Sequence, residues 1–324
     1  MPRPITLVSH PLCGQHRTGR GHIESPRRLP SLLAPVRADA ELAPLLLDLL
    51  GTPATEADLL RVHVPEHVAR VREAAEQARR RRRLVWLDDD TPVSSESWEA
   101  ALAAVGCVIS AAEAVLDGKT QTAFALSRPP GHHATAQDAM GFCLFNNVAV
   151  AIRQLQAKKR IERALIVDWD AHHGNGTQEI FYGDPSVHFI SLHLDPGFPG
   201  TGRASEVGAG PGEGSNWNVP LLAGTSVAEY RRGMLEALEG ALKLSAPDLV
   251  FISAGFDCLS GDPEGGFLLE PADIHQLTRD LVERLPTSTA GRVVGALEGG
   301  YALDRIGLGL RDMLRALVGL PRAE

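Results

Sequence analysis

The stretch "RALIVDWDAHHGNG", Arg163 to Gly176, begins apolar and β-branched and ends in two aspartates, two histidines, an asparagine and two glycines. An apolar run that breaks into a polar, glycine-rich segment predicts a strand buried on both faces that ends in a loop. Strands of that kind belong to parallel sheets, whose active sites gather at the carboxyl ends. The loop therefore has three readings: a solvated turn, a metal site, or part of an active site completed by other strands.

Five more runs have the same apolar character: 5–9, 122–127, 187–193, 248–254 and 292–298. Between them lie helical patterns at 97–118, where Gly118 is a stop, and at 146–159, 226–244 and 271–285. Alternating strands and helices predict an α/β fold with a mostly parallel sheet covered by helices. With no internal repeat and no Gly/Ser linker, residues 1–324 read as a single domain. A further helix is expected from about Pro65 into the run Arg79–Arg83, whose cations suit a solvated helix C-terminus.

Hydrophobic residues make up 44% of the 324, enough for a substantial core. The formal charge of 32 − 40 = −8 disfavours nucleic acid and suits a cationic partner. Cys13, Cys107, Cys143 and Cys258 are far apart and form no CxxC, the usage of a reducing compartment. The N-terminus lacks a signal-peptide apolar core, and no apolar run is long enough to span a bilayer. A soluble, cytoplasmic setting without membrane contact is expected, and a homo-oligomer is compatible with it.

In the opening stretch, extended alternation places Asp168, Asp170 and His172 on one side. Asp170 and His172 then converge on one ion, but a catalytic zinc takes three protein ligands and one open position. Asp257, just beyond the strand 248–254, is the natural third. Alone it would read as a turn or cap aspartate. An Asp-His-Asp set suits Zn²⁺ and also Fe²⁺ or Mn²⁺. His132 and His133 follow another strand and a Pro-Pro-Gly turn, which places them for proton transfer. Tyr301 follows two glycines at a strand end, where its hydroxyl can meet a developing oxyanion.

Together with "GHIESPRRL", "RPPGHHA", "GFCLFNNVAVA", "DWDAHHGNGTQ", "SLHLDPGFPGTG", "AGFDCLSGDPEGGF" and "LEGGY" in this order, these residues resemble the zinc-dependent histone deacetylase family. The resemblance is to its class II-like bacterial branch, which includes acetylpolyamine amidohydrolases. It implies the arginase–deacetylase fold, three layers α/β/α around a sheet of about eight strands. It implies zinc on Asp170, His172 and Asp257, and His133 as the group that activates water and protonates the leaving amine. His132 would be its electrostatic partner, with Asp168 orienting His132 and Asn175 orienting His133. Tyr301 would polarise the scissile carbonyl. Phe142 and Phe198, with Gly141, would wall a narrow acyl channel. Asp168 and Ser191, with the backbone of Asp170, His172 and Leu192, would hold a structural K⁺.

Arginase-type ureohydrolases share the fold but use two metals, and need carboxylates where this chain has Gly174 and Leu259. A mononuclear deacetylase is therefore favoured. A catalytically weak acyl-lysine-binding module is the other reading, and Tyr301 and both histidines speak against it. Glu264, seven residues after Asp257, matches a gatekeeper glutamate of the acetylpolyamine branch, and Asp90 matches a rim residue that holds substrate. A carboxylate at the mouth attracts a secondary ammonium. Against a polyamine, the first loop, "QHRTGRGHIESP", is basic and lacks the narrowing insertion. The implied reaction is removal of acetyl from an acetylated primary amine, with acetylpolyamine slightly ahead of acetyl-lysine. Tyr301-Ala302 departs from the Tyr-Asn or Tyr-Asp common in the family.

Overall fold

The computed structural model describes residues 2–323. In chain order the elements are β1 (Ile5–Ser9), α1 (Arg28–Ala38), β2 (Leu46–Leu50), α2 (Glu56–Leu59), α3 (Pro65–Arg81), β3 (Val85–Trp86), β4 (Pro92–Val93) and α4 (Ser97–Leu116). There follow β5 (Thr122–Ala125), α5 (Asn147–Ala157), β6 (Ala164–Asp168), α6 (Asn175–Phe181), β7 (Val187–Leu194) and β8 (Asn216–Leu221). The chain closes with α7 (Val227–Leu244), β9 (Leu249–Ala254), α8 (Pro271–Arg284), β10 (Val293–Leu297) and α9 (Ile306–Val318).

Eight strands form one sheet in the order β2-β1-β5-β10-β9-β6-β7-β8, with every neighbouring pair parallel. The six strands read from sequence occupy its interior, between the edge strands β2 and β8. Along β6 the side chains alternate between the two layers of core. Ala164 and Ile166 join the cluster built with α3, α4 and α5, while Leu165 and Val167 join that of α1, α7, α8 and α9. A strand sandwiched in this way must be apolar on both faces, which is why it reads as a continuous apolar run.

Several elements were not legible. The helix α1 carries Pro35 in its interior, and β8 carries Pro220, which is tolerated at the edge strand that it forms. In α9, Gly307 and Gly309 lower the helical signal. Both allow close approach, since a Cβ on Gly307 would overlap Ser31 O and one on Gly309 would press on Phe256 and Leu259. Strand β2 exposes Leu47 and Leu50, so its "LLDLL" has no clean period. One expectation is corrected: α4 is long and apolar enough by itself to cross a bilayer. Its apolar surface is instead covered by α5, β1, β5 and β10.

Candidate active site

The carboxyl ends of β5, β6, β7, β9 and β10 deliver their loops to one face. There a narrow cavity of about 110 Å³ is lined by His132, His133, Asp170, His172, Gly299 and Tyr301 at depth, and by Asp90, Pro130, Gly141, Phe142, Phe198 and Glu264 around them.

Strand β6 ends at Asp168, so simple alternation does not carry His172 into place. Asp170 does so locally: its Oδ1 accepts the His172 backbone N–H at 2.9 Å and lies 3.0 Å from His172 Nδ1. Asp257 arrives from the loop after β9. Its Oδ1 accepts Ala171 N–H at 2.7 Å, which ties the two loops together, and its Oδ2 lies 3.5 Å from His172 Nδ1. One donor atom from each of Asp170, His172 and Asp257 falls within 4.8 Å of the others. Asp257 Oδ2 is buried and has no hydrogen-bond partner among the described residues. A Cβ on Gly299 would overlap that oxygen and stand 2.6 Å from Asp170 Oδ2. Burial, and Asp170 beside it, push Asp257 up to about 7. Burial opposes charge on His172, yet its contacts with Asp170 and Asp257 raise it to about 11. An orphaned buried oxygen, converging N and O donors and surplus negative charge are the properties of a cation site, and these three residues would hold a metal ion such as zinc.

His132 and His133 lie against each other with ring centroids 3.9 Å apart and planes tilted by 41°. His132 Nδ1 is 3.0 Å from Asp168 Oδ2, and His133 Nδ1 is 2.8 Å from Asn175 Oδ1 at the start of α6. Burial alone would lower His132, but Asp170, Asp168 and Glu298 raise it to about 10. His133 is driven well below 6.5 by burial, by His132 and by His172. The two shifts run in opposite directions, upward for His132 beside its carboxylates and downward for His133 beside its basic neighbours.

Phe198 packs edge-on to His133 at 5.0 Å, and Phe142 edge-on to Tyr301 at 5.8 Å. Both rings wall the cavity. Phe142 adopts a left-handed backbone (φ 67°) next to Gly141 (φ 55°), where a Cβ would overlap His133 Cδ2. Asp90 sits on the loop of the β3–β4 hairpin. Asp88 caps that loop by accepting Asp90 N–H at 3.0 Å and Thr91 N–H at 2.6 Å. Glu264 is exposed on the cavity wall. Asp168 and Ser191 are registered neighbours across β6 and β7, with Leu192 next in the chain. Gly174 lacks a carboxylate and has no room for one, because a Cβ there would overlap Asp168 Oδ2. Leu259 is fully buried in the apolar core.

Four charged residues were missed. Glu298 is buried, and its Oε2 accepts Gly131 N–H at 2.7 Å and His132 N–H at 3.1 Å. Arg28 donates to Gly300 O at 2.7 Å and to Glu298 O, and lies 4.9 Å over the Tyr301 ring. Glu24 pairs with Arg128 at 2.7 Å and with Arg28. Asp262 accepts Tyr301 N–H at 2.6 Å and Ala302 N–H at 2.8 Å. All four lie within the family motifs, where a charge set among small or apolar residues was the available signal. What each one holds is a group distant in sequence.

The histone deacetylase domain family matches residues 22–317. The chain is 39% identical over 311 residues to the histone deacetylase-like amidohydrolase of Pseudomonas aeruginosa, covering 93% of this chain and 78% of that protein. It is 38% identical over 317 residues to histone deacetylase 5 of Arabidopsis thaliana, covering 94% of this chain and 47% of that protein, about half its length. The crystal structure of the HDA15 HD domain superposes with a TM-score of 0.89 at 36% identity, covering 99% of this chain and 91% of that one. In sequence along nearly all its length and in its arginase–deacetylase fold, the chain belongs to the histone deacetylase domain family, and its activity is of the deacetylase type, hydrolysis of an amide.

Proposed function

We propose that the protein is a zinc-dependent amidohydrolase that removes acetyl from an acetylated primary amine, with an acetylpolyamine slightly ahead of an acetyl-lysine side chain. The observation that carries the reading is that the Asp170, His172 and Asp257 donor set, the buried His132–His133 pair and the Tyr301 ring meet at one narrow cavity. A zinc ion on those three side chains would supply Lewis acidity and an acidified water. His133, neutral and oriented by Asn175, takes the proton from the attacking water and returns it to the departing amine. His132, held by Asp168, supplies a positive field beside it. Tyr301 donates a hydrogen bond to the carbonyl oxygen, and the bond strengthens as that oxygen gains charge. Phe142 and Phe198 strip water from the acyl chain. Asp168, Ser191 and the backbone of Asp170, His172 and Leu192 are assigned to a structural K⁺.

Glu264 supports the polyamine, because an exposed carboxylate at the cavity wall, which Asp90 also lines, attracts a second ammonium group. The acetyl-lysine alternative draws on the relatives, named a histone deacetylase-like amidohydrolase and histone deacetylase 5. The discriminating experiment measures zinc content and kcat/KM for acetylputrescine, acetylspermidine and an acetyl-lysine peptide. Glu264→Leu should lower the polyamine value by roughly twofold to fivefold and spare the peptide, the range for a solvent-screened ion pair. An unchanged ratio removes Glu264 from the assignment. Zinc binding with no cleavage of any acyl amide, and no effect of Tyr301→Phe, would leave a binding module.

A further inference from the structure

The Tyr301 hydroxyl has no hydrogen-bond partner among the described residues, as a group reserved for substrate requires. Its position must therefore come from the backbone and from ring packing. Three anchors act on the loop after β10. Gly299 N–H donates to Asp170 Oδ2 at 2.8 Å. Gly300, at φ 109°, donates no side chain but offers its carbonyl to Arg28. The third anchor is Asp262, which grips the tyrosine residue itself.

Asp262 lies in the loop that runs from Asp257 to Glu264, and is 8% exposed. Its Oδ2 accepts two consecutive backbone donors, Tyr301 N–H at 2.6 Å and Ala302 N–H at 2.8 Å. Its Oδ1 accepts Glu264 N–H at 3.1 Å. A single carboxylate thus ties the tyrosine to the segment between the Asp257 donor and the mouth residue Glu264. Only an acceptor with two oxygens serves donors on both sides. An asparagine would turn its NH₂ toward one of them and set donor against donor. Fixing N–H at residues 301 and 302 fixes the Tyr301 Cα–Cβ direction, and with it the arc on which the hydroxyl lies.

We propose that Asp262 is the positioning residue for Tyr301, holding the tyrosine hydroxyl where the carbonyl oxygen of the substrate acquires charge. The proposal rests on the reading of Tyr301 as the donor to that oxygen. It also gives Ala302 a function through its backbone N–H, which any residue but proline provides.

The test is a double-mutant cycle on the zinc-loaded protein, run on whichever substrate it turns over best. Tyr301→Phe alone should lower kcat by about 10²- to 10³-fold, the loss for removing one oxyanion donor. Asp262→Ala, which removes the acceptor altogether, should lower kcat by up to about 100-fold through misplacement, with KM changed less than about threefold. In the Asp262→Ala background, the cost of Tyr301→Phe should shrink by about tenfold or more, since a misplaced hydroxyl has little left to lose. Asp262→Glu keeps both acceptor oxygens and should be intermediate in kcat, with the same non-additivity. If Asp262→Ala does not fold, the cycle is run with Asp262→Glu. Wild-type kcat in folded Asp262→Ala, or losses that multiply fully with Tyr301→Phe, overturns the proposal. A silent Tyr301→Phe instead defeats the reading of the tyrosine, whatever Asp262 does.

Discussion

Glycine is the most informative residue type around this site, because at three positions the missing side chain leaves room for a neighbouring oxygen or ring. At Gly299 a methyl group would overlap Asp257 Oδ2 and crowd Asp170 Oδ2. Gly299→Ala should therefore splay the donor set and weaken zinc by about 10- to 100-fold, the usual range for disturbing the support of a ligand. Competition with a chromogenic chelator measures this, and unchanged affinity would mean that the loop yields without moving the carboxylates. At Gly174 a methyl group would overlap Asp168 Oδ2, so that position lacks room for a side chain as well as a carboxylate. At Gly141 the neighbour is the His133 ring. The identity of these glycines was legible in the sequence, and Gly174 was read there as a missing ligand. The neighbours were not, because packing brings them up from other turns of the chain.

The loops are held to one another by buried charge. The segment before α1 sends Glu24 to Arg128, near the tandem histidines in the chain, while α1 itself sends Arg28 to the Tyr301 loop. Burial alone would raise Glu24, but Arg128, His16 and Arg28 outweigh it and hold the carboxyl at about 2, below its usual 4.5. A carboxyl depressed in the folded state stabilises the fold fully above its unfolded value and loses that contribution as pH falls toward 2. Glu24→Gln should destabilise the protein by about 3–5 kcal/mol near neutrality, because it leaves two buried guanidinium groups short of a counter-charge. The gap in Tm between wild type and Glu24→Gln should narrow steadily from about pH 4.5 toward pH 2, as far down as the fold survives. A gap independent of pH would show that packing, not the carboxylate charge, sets the cost. Glu24 and Arg28 are only four residues apart, but the link to Arg128 does not show in local patterning, since Glu24 and Arg128 are 104 residues apart.

Across the sheet, the strand order β5-β10-β9-β6-β7 is what gathers the site, because these five neighbours carry all the loops that reach the cavity apart from the Asp90 hairpin. Closing three donors from two of those loops around one ion couples metal binding to stability. Saturating zinc should raise Tm by the linkage relation, about 2.7 kcal/mol of added stability at a hundredfold excess over Kd. Chelation should reverse the shift, and Asp257→Asn should largely abolish it. A Tm insensitive to zinc would argue that the donor set does not take the ion.

Local patterning was enough for the interior of the fold. Strands buried on both faces must be apolar throughout, and amphipathic helices must repeat every three to four residues. For that reason β1, β5, β6, β7, β9 and β10 and the long helices α3, α4, α5, α7 and α8 follow from short-range pattern. The chemistry-bearing side chains were also visible there, since packing alone seldom places clustered polar residues directly after an apolar strand. Three-dimensional packing alone decided the edge strands and the glycine-bearing α9, whose patterns are diluted by proline, glycine or solvent exposure. It alone also decided which carboxylate holds which loop. A backbone N–H looks the same in every sequence, so the partners chosen by Asp262, Glu298 and Arg28 emerge only once the strands stand side by side.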